Sequence, residues 1–253
     1  MKAMIYAVAA ASLLASACGS KEEGGAAATP AAGGGSAAAP AASSGAAPTA
    51  DAGGVVAAVV APAGDFASRT LELTNPEPSA MVFLYHDLTG VPLAIDQIVE
   101  DDYGVKLATG PEKVAKRDQL RASLEAGLAS VKDVGLIRLT ANANMSAYDP
   151  TYGEFTIGAL SPSSSFPFQA LGETVSLKFA NGQQAQTWKV PAAEAQAISD
   201  KIRYMGNVSM DVLVKVLRVQ PAPKGGTIIA QVLSYELRDQ QSNATLGRIT
   251  VSN

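Results

Sequence analysis

Side chains able to act as a general base, a nucleophile or a metal ligand are scarce in this chain of 253 residues. It has one His and one Cys, which excludes zinc fingers, HExxH proteases, iron–sulfur sites, multi-His metal centres and disulfide scaffolds. His86 precedes Asp87 directly, and a Ser-His-Asp triad would have to use it. Because the sequence has no GxSxG nucleophile motif, we interpret His86 as a polar or surface residue of a helix.

Serine and carboxylate groups are the remaining candidates for hydrolysis or cation binding. One group of hydroxyls lies in a proline-containing loop and comprises Ser161, Ser163, Ser164 and Ser165. The acidic cluster is Glu100-Asp101-Asp102, whose adjacent positions point in different directions on a helix. No Asp-x-Asp-x-Asp-Gly loop accompanies it, so we interpret it as a solvated helix end, with a calcium site as the alternative.

Aromatic residues and net charge bear on other ligand classes. Trp188 could form a ligand platform with Phe166, Phe168 and Phe179, but we favour packing of these rings within a sheet. Neither GxxxxGK[ST] nor GxGxxG occurs, so nucleotide chemistry is not indicated. A net charge of −4 without a basic stripe argues against nucleic acid as a partner. We expect no cofactor and no metal.

The N-terminus carries an export signal. Lys2 is followed by an apolar stretch from Ala3 to Leu14 and by three small residues, and residues 1–17 are too short for a membrane-spanning helix of the mature protein. Cys18 follows directly. The stretch Leu14-Ala15-Ser16-Ala17-Cys18 resembles the lipobox of bacterial lipoproteins, with Ala15 at the position where Leu is commonest. The alternative is an ordinary cleavage site beside a chance Cys.

The lipobox resemblance implies a modified cysteine at the start of the mature chain. In that family the cysteine sulfur takes a diacylglycerol, cleavage occurs before the cysteine, and the new amino terminus is acylated. The bilayer is then a partner through Cys18, since two or three acyl chains anchor a protein stably. Gly19 occupies the sorting position, where the resemblance implies the outer membrane, facing the periplasm.

Residues 18–64 are predicted to be a disordered linker behind the anchor. From Gly24 to Gly64 nearly all residues are Gly, Ala, Pro, Ser or Thr, which cannot bury enough apolar surface to offset the entropy of ordering. Prolines at four positions interrupt any Ala-driven helix. We interpret the segment as a tether; compositional drift without a selected length is the alternative.

Residues 65–253 are predicted to form a single α+β domain, helical over 65–133 and strand-rich over 134–253. The first helix ends before Gly90, the second ends at the acidic cluster, and the third begins at a capping box, Thr109-Gly110-Pro111-Glu112. Their apolar faces carry Met81, Leu84, Tyr85 and Leu88; Ile95, Ile98 and Val99; and Leu120, Leu124, Leu128 and Val131.

In the strand-rich part the apolar period changes to two. Val175, Leu177 and Phe179 alternate with other residues, and Asn181-Gly182 predicts a tight hairpin that would place Trp188 opposite Val175. A helix is expected after Pro191. Its apolar positions are Ala195, Ile198, Ile202 and Met205, and Gly206 closes it.

Two long strands are predicted from Asn207 to Gln220 and from Thr227 to Asp239, and a last one from Thr245 to Val251. In the second, the apolar face passes from Val232 to Leu233, which indicates a bulge or strong coiling. The predicted fold class is therefore α+β: N-terminal helices followed by a curved, mainly antiparallel sheet with one further helix.

The folded region is also similar to an uncharacterised family of exported bacterial lipoproteins, known only as a domain of unknown function. The similarity covers most of residues 80–250 and lies in Tyr85-His86-Asp87-Leu88-Thr89-Gly90, Tyr103, the long helix, Tyr148-Asp149 and Phe155. It implies no catalytic or binding residues.

Together these patterns favour a membrane-anchored envelope lipoprotein whose folded region is a non-catalytic binding or interaction module for an envelope protein or a cell-wall partner. The alternative is an envelope hydrolase that uses carboxylate or Ser residues gathered by the fold.

Replacing the predicted lipidation site tests the anchor. Cys18→Ser should move the protein from the membrane to the soluble periplasmic fraction and abolish labelling by a clickable fatty acid, because the acyl chains have no other attachment point in the lipobox scheme. Fractionation and in-gel fluorescence measure both effects. Unchanged labelling would exclude lipidation at this residue.

Overall fold

The computed structural model describes residues 66–202 and 207–252. The predicted signal peptide, Cys18 and the linker lie outside the described residues, as do Met205 and Gly206. Six helices occupy the described part: α1 Pro78–Thr89, α2 Ile95–Asp101, α3 Tyr103–Leu107, α4 Gly110–Ser130, α5 Gly182–Ala185 and α6 Ala192–Lys201. Single 3₁₀ turns occur at Phe66–Ser68 and Gly158–Leu160.

The described part also contains nine strands, the first of which precedes α1: β1 Leu71–Thr74, β2 Val134–Asn142, β3 Glu154–Thr156, β4 Phe166–Ala170, β5 Glu173–Phe179, β6 Thr187–Lys189, β7 Val208–Ala222, β8 Gly225–Asp239 and β9 Thr245–Thr250. Seven of them form one open sheet in the order β1-β2-β7-β8-β5-β4, with β9 also paired to β8. β3 and β6 form a separate two-stranded sheet. The fold class is α+β.

The large sheet is mixed. β1 pairs with β2 in parallel, and so does β5 with β8, whereas β2/β7, β7/β8, β4/β5 and β8/β9 are antiparallel. One edge of β8 is covered by β7 over its whole length. The other edge is shared: β5 pairs along Gly225 to Ala230, and β9 pairs along Ser234 to Arg238.

The expected change of face in β8 is confirmed, and it is matched in β7. The register shifts between Leu213 and Val214, where Leu233 is the extra residue of β8, and again beside Leu217 of β7. Each strand therefore carries one bulge, and the two strands keep their apolar residues on the same side of the sheet. The buried residues of the pair include Met210, Val212, Val214, Val216, Ile228, Ala230, Val232, Tyr235 and Leu237.

The helix α1 lies between the sheet and α4. It contacts β4, β5, β7 and β8 on one side and α4 on the other. The apolar face predicted for it is confirmed, but Val82 and Phe83 are buried as well, because a helix covered on two sides is apolar around most of its circumference. Gly127 of α4 makes room for the Phe83 ring: a Cβ there would lie 2.3 Å from a ring carbon.

The hairpin predicted at Asn181-Gly182 is wrong. Gly182 begins α5 instead, and the Asn181 side chain binds the backbone of Val232, accepting its N–H (2.8 Å) and donating to its carbonyl (2.9 Å). β5 ends there, and β6 pairs with β3, which places Trp188 opposite Phe155 and not opposite Val175. A local turn signal was overridden by a long-range backbone contact.

Two details of the helices also differ from expectation. The capping box is wrong: Thr109 makes no side-chain cap, and Gly110, with φ +56°, turns the chain into α4. Glu112 instead pairs with Lys116 one turn later (2.8 Å). A helix after Pro191 is confirmed, with Ala195 and Ile198 buried, but it ends at Lys201, and Ile202, which was expected within it, follows in an extended conformation.

The centre of the sheet is the most sensitive point of the fold. Val214 is 0% exposed and lies between Ile137 of β2 and Val232 of β8. Val214→Asp should reduce the free energy of unfolding by about 3 kcal/mol or more, because a buried carboxylate has no partner there. Val114→Asp is the matched control, since Val114 of α4 is 55% exposed and should change stability by only about 0.5 kcal/mol. Urea unfolding compares them; equal midpoints would contradict the assigned faces.

Candidate functional site

The single histidine is a buried, fully bonded polar residue of a helix, so of the two possibilities in the sequence interpretation, polar or surface, it is the first that the structure shows. His86 is 7% exposed, in the last turn of α1. Its Nδ1 lies 2.8 Å from the carbonyl oxygen of Val91, and its Nε2 lies 3.1 Å from both carboxylate oxygens of Glu173. A carbonyl and an ionised carboxylate only accept hydrogen bonds. The imidazole therefore lies between two hydrogen-bond acceptors, and its contact with Glu173 is an ion pair when the ring is protonated.

Local backbone geometry positions both members of the pair. α1 ends at Gly90, whose φ of +68° turns the chain and whose N–H binds the His86 carbonyl (2.9 Å). This turn brings the carbonyl of Val91 back to the imidazole. Glu173 is the first residue of β5 and follows the two-residue turn Leu171-Gly172, in which both residues have positive φ.

Tyr85 completes the buried cluster. Its ring meets the His86 ring edge-on, with centroids 5.4 Å apart and an interplanar angle of 83°. Burial raises the pKa of the Tyr85 phenol, and the negative charge of Glu173 raises it further. Gly226 of β8 lies against the same ring, where a Cβ would approach a ring carbon to 2.7 Å.

Glu173 also lines an open cleft of about 570 Å³. One wall is α2 and its junction with α3; the other consists of the tips of the β4–β5 and β7–β8 hairpins. Leu171 and Lys224, one in each tip, have left-handed φ values of +55° and +59°, which non-glycine residues adopt at a cost in energy. The lining residues are Ala94, Gln97, Ile98, Asp101, Asp102, Leu171, Gly172, Glu173 and Lys224.

The acidic cluster contributes two side chains to this cleft, but its members have separate partners. Glu100 pairs with Arg117 (2.6 Å), and Asp101 pairs with Lys106 (3.0 Å). Asp102 accepts the backbone N–H of Val105 and caps α3. Within residues 66–202 and 207–252, no group of three or more His, Cys, Asp or Glu side chains is arranged to hold a metal ion.

The other residues singled out from the sequence lie elsewhere. Asp87 pairs with Arg69 and not with His86. The hydroxyl of Ser161 contacts those of Ser163 and Ser164, and Ser164 donates to the carbonyl of Gly158 (2.8 Å), so these serines close their own turn.

The aromatic residues divide into two packed groups. Trp188 packs on Phe155 (centroids 5.4 Å apart), whereas Phe166 packs on Phe179 (5.6 Å). Trp188 is buried, which agrees with sheet packing rather than a ligand platform.

The sequence did not single out Glu173 or Lys224. The local signal available was a glycine next to each of them, in turns that separate two stretches of alternating apolar and polar residues. Nothing local connects Glu173 with His86, which is 87 residues away in the chain.

No helix in the described part of the chain is both long and apolar enough to cross a bilayer. Comparison with protein-family models, with curated proteins and with solved structures found no match. The site is therefore interpreted from its own geometry.

Replacing Glu173 tests its contact with His86 and Tyr85. Glu173→Gln removes a negative charge, so the pKa of Tyr85 should fall, and loss of the charged hydrogen bond should reduce stability by about 1.5 kcal/mol. NMR titration of the tyrosine rings and urea unfolding measure the two effects. Glu194→Gln, exposed on α6, is the control and should change neither. An unaltered Tyr85 pKa in Glu173→Gln would contradict the pairing.

Proposed function

We propose that this chain is an acylated lipoprotein of the bacterial envelope, attached through Cys18 to the outer membrane and facing the periplasm. Its folded region is a non-catalytic binding module for an envelope protein or a cell-wall partner, joined to the anchor by the linker predicted from the sequence. The cleft beside Glu173 is the binding site. It carries the proposal because it is concave and draws polar groups from several elements to one place.

The carboxylate oxygens of the cleft favour a ligand with an amino or other hydrogen-bond-donating group. Three carboxylates, those of Asp101, Asp102 and Glu173, line it together with one ammonium group, that of Lys224. Two of these carboxylates are already paired, Asp101 with Lys106 and Glu173 with His86, so they serve a ligand as hydrogen-bond acceptors rather than as uncompensated charges. An amine-bearing peptide segment of an envelope or cell-wall partner has the matching N–H donors.

Hydrogen bonds hold the hairpin wall of the cleft in place, which supports binding. Glu173 is held by His86, and the backbone N–H of Thr174 binds the Lys224 carbonyl (3.0 Å), which joins the two hairpin tips. A site whose groups are already fixed loses less conformational freedom when a ligand binds.

An envelope hydrolase is the second candidate, since the same cleft gathers carboxylates. Binding is preferred because these carboxylates already have partners: Glu173 with His86, Asp101 with Lys106, and Asp102 at the start of α3. A general acid or base must exchange its proton with the substrate. Turnover of chromogenic glycosides or esters that disappears in Asp101→Asn would favour the hydrolase.

Photocrosslinking in living cells tests the binding site. Gln97 lines the cleft and is exposed, so a photoreactive benzoylphenylalanine in its place should give a discrete adduct with an envelope protein or a cell-wall fragment. The same group at Gln196, exposed on α6, is the control and should not. Mass spectrometry identifies the adduct. Asp101→Asn should weaken the Gln97 adduct, and identical adducts from both positions would contradict the proposal.

A further inference from the structure

The sheet face opposite α1 carries a row of charged side chains. Asp211 of β7 alternates with the buried residues Met210 and Val212, so it points to this open face. The register places Asp211 directly opposite Glu236 of β8, and Glu236 directly opposite Arg248 of β9. Two carboxylates facing each other across a strand pair repel, so each requires its own cation.

The carboxylate of Asp211 is satisfied by Arg138 of β2. Arg138 donates from Nη1 to Asp211 (3.0 Å) and from Nε and Nη2 to the two oxygens of Glu72 (2.7 and 3.3 Å). Both edges of this guanidinium are therefore taken by carboxylates, which leaves it little capacity for a ligand.

Glu236 is satisfied in a different way, by two arginines at once. Arg238 and Arg248 approach it through their Nε atoms, at 3.0 and 3.1 Å, and the hydroxyl of Thr245 donates to it at 2.7 Å. These three donors hold the pKa of Glu236 below its usual value. Because both arginines are paired through Nε, the Nη groups at the far end of each guanidinium are left for another acceptor.

These two arginines line a groove of about 460 Å³ together with Arg138, Asp211 and Glu236, beside the hydroxyls of Ser234 and Thr250. The Arg248 side chain is 74% exposed and that of Arg238 is 38% exposed, so solvent reaches both. Arg138 is shared by two carboxylates, Glu72 and Asp211, whereas Arg238 and Arg248 share only Glu236, so a local excess of one positive charge lies at Arg238 and Arg248.

We propose that Arg238 and Arg248 form a binding site for an oxyanion, the carboxylate or phosphate group of a small ligand lying in this groove. A planar guanidinium donates two parallel hydrogen bonds to such a group, and Glu236 holds the two guanidiniums beside each other. The site is on the sheet face away from α1 and uses none of the residues of the cleft, so it does not depend on the function proposed above.

NMR titration of the full chain carrying Cys18→Ser tests the site, with inorganic phosphate and acetate as separate probes at constant ionic strength. The Nε–H signals of Arg238 and Arg248 should shift and saturate with a dissociation constant on the order of millimolar, as expected for an exposed and screened site. The probe that saturates at the lower concentration identifies the group as phosphate or carboxylate.

Arg248→Gln should weaken binding about tenfold or more without unfolding the chain, because the side chain is mostly exposed. The matched control is Arg218→Gln, an exposed arginine of β7 outside the groove, which should leave the titration unchanged. Shifts that grow linearly without saturating, or equal weakening by both variants, would overturn the site.

Discussion

Strand β8 imposes the constraint on which the rest of the structure depends, because a buried strand of 15 residues must have its backbone groups bonded on both edges. β7 satisfies one edge. Along the other edge of β8, the backbone groups are bonded first by β5, then by the side chain of Asn181, and then by β9. The N–H of Ala180 binds the Ala230 carbonyl, Asn181 takes both backbone groups of Val232, and the N–H of Val251 binds the Leu233 carbonyl. One amide side chain thus fills the gap between two strands, at the bulge.

The parallel pairing of β5 with β8 is what creates the cleft. It aligns Thr174 with Gly225, so that the β4–β5 and β7–β8 hairpin tips lie side by side. α1 packs over this end of the sheet and brings His86 to Glu173. The close approach requires small residues in β8, since a Cβ on Gly225 would lie 2.1 Å from the Thr174 carbonyl oxygen. Packing of a helix and pairing of a strand therefore bring together residues that are distant in the chain.

Features set by nearby residues could be predicted from the sequence, and those set by distant ones could not. Helical periodicity placed α1, α2 and α4 correctly, and the shift from Val232 to Leu233 located the bulge in β8. Asn181-Gly182, in contrast, has the strongest local signal for a hairpin, but the bonds offered by Val232 decide its conformation. The partner of the His86 imidazole could not be predicted either, because adjacency in the sequence suggested Asp87, which pairs with Arg69.

The two charged regions differ in how much of their hydrogen-bonding capacity the fold uses. At the cleft, Glu173 is bonded through both oxygens to a buried imidazole. Its charge therefore mainly stabilises the contact between α1 and β5. In the groove, the carboxylate of Glu236 has its hydrogen-bonding capacity filled, whereas the arginines around it keep N–H groups available. Because pairing at Nε leaves the Nη edge of a guanidinium open, Arg248 can stabilise the β8–β9 pair and bind an anion at the same time. Ligand binding there therefore does not compete with the contacts that hold β9 in the sheet.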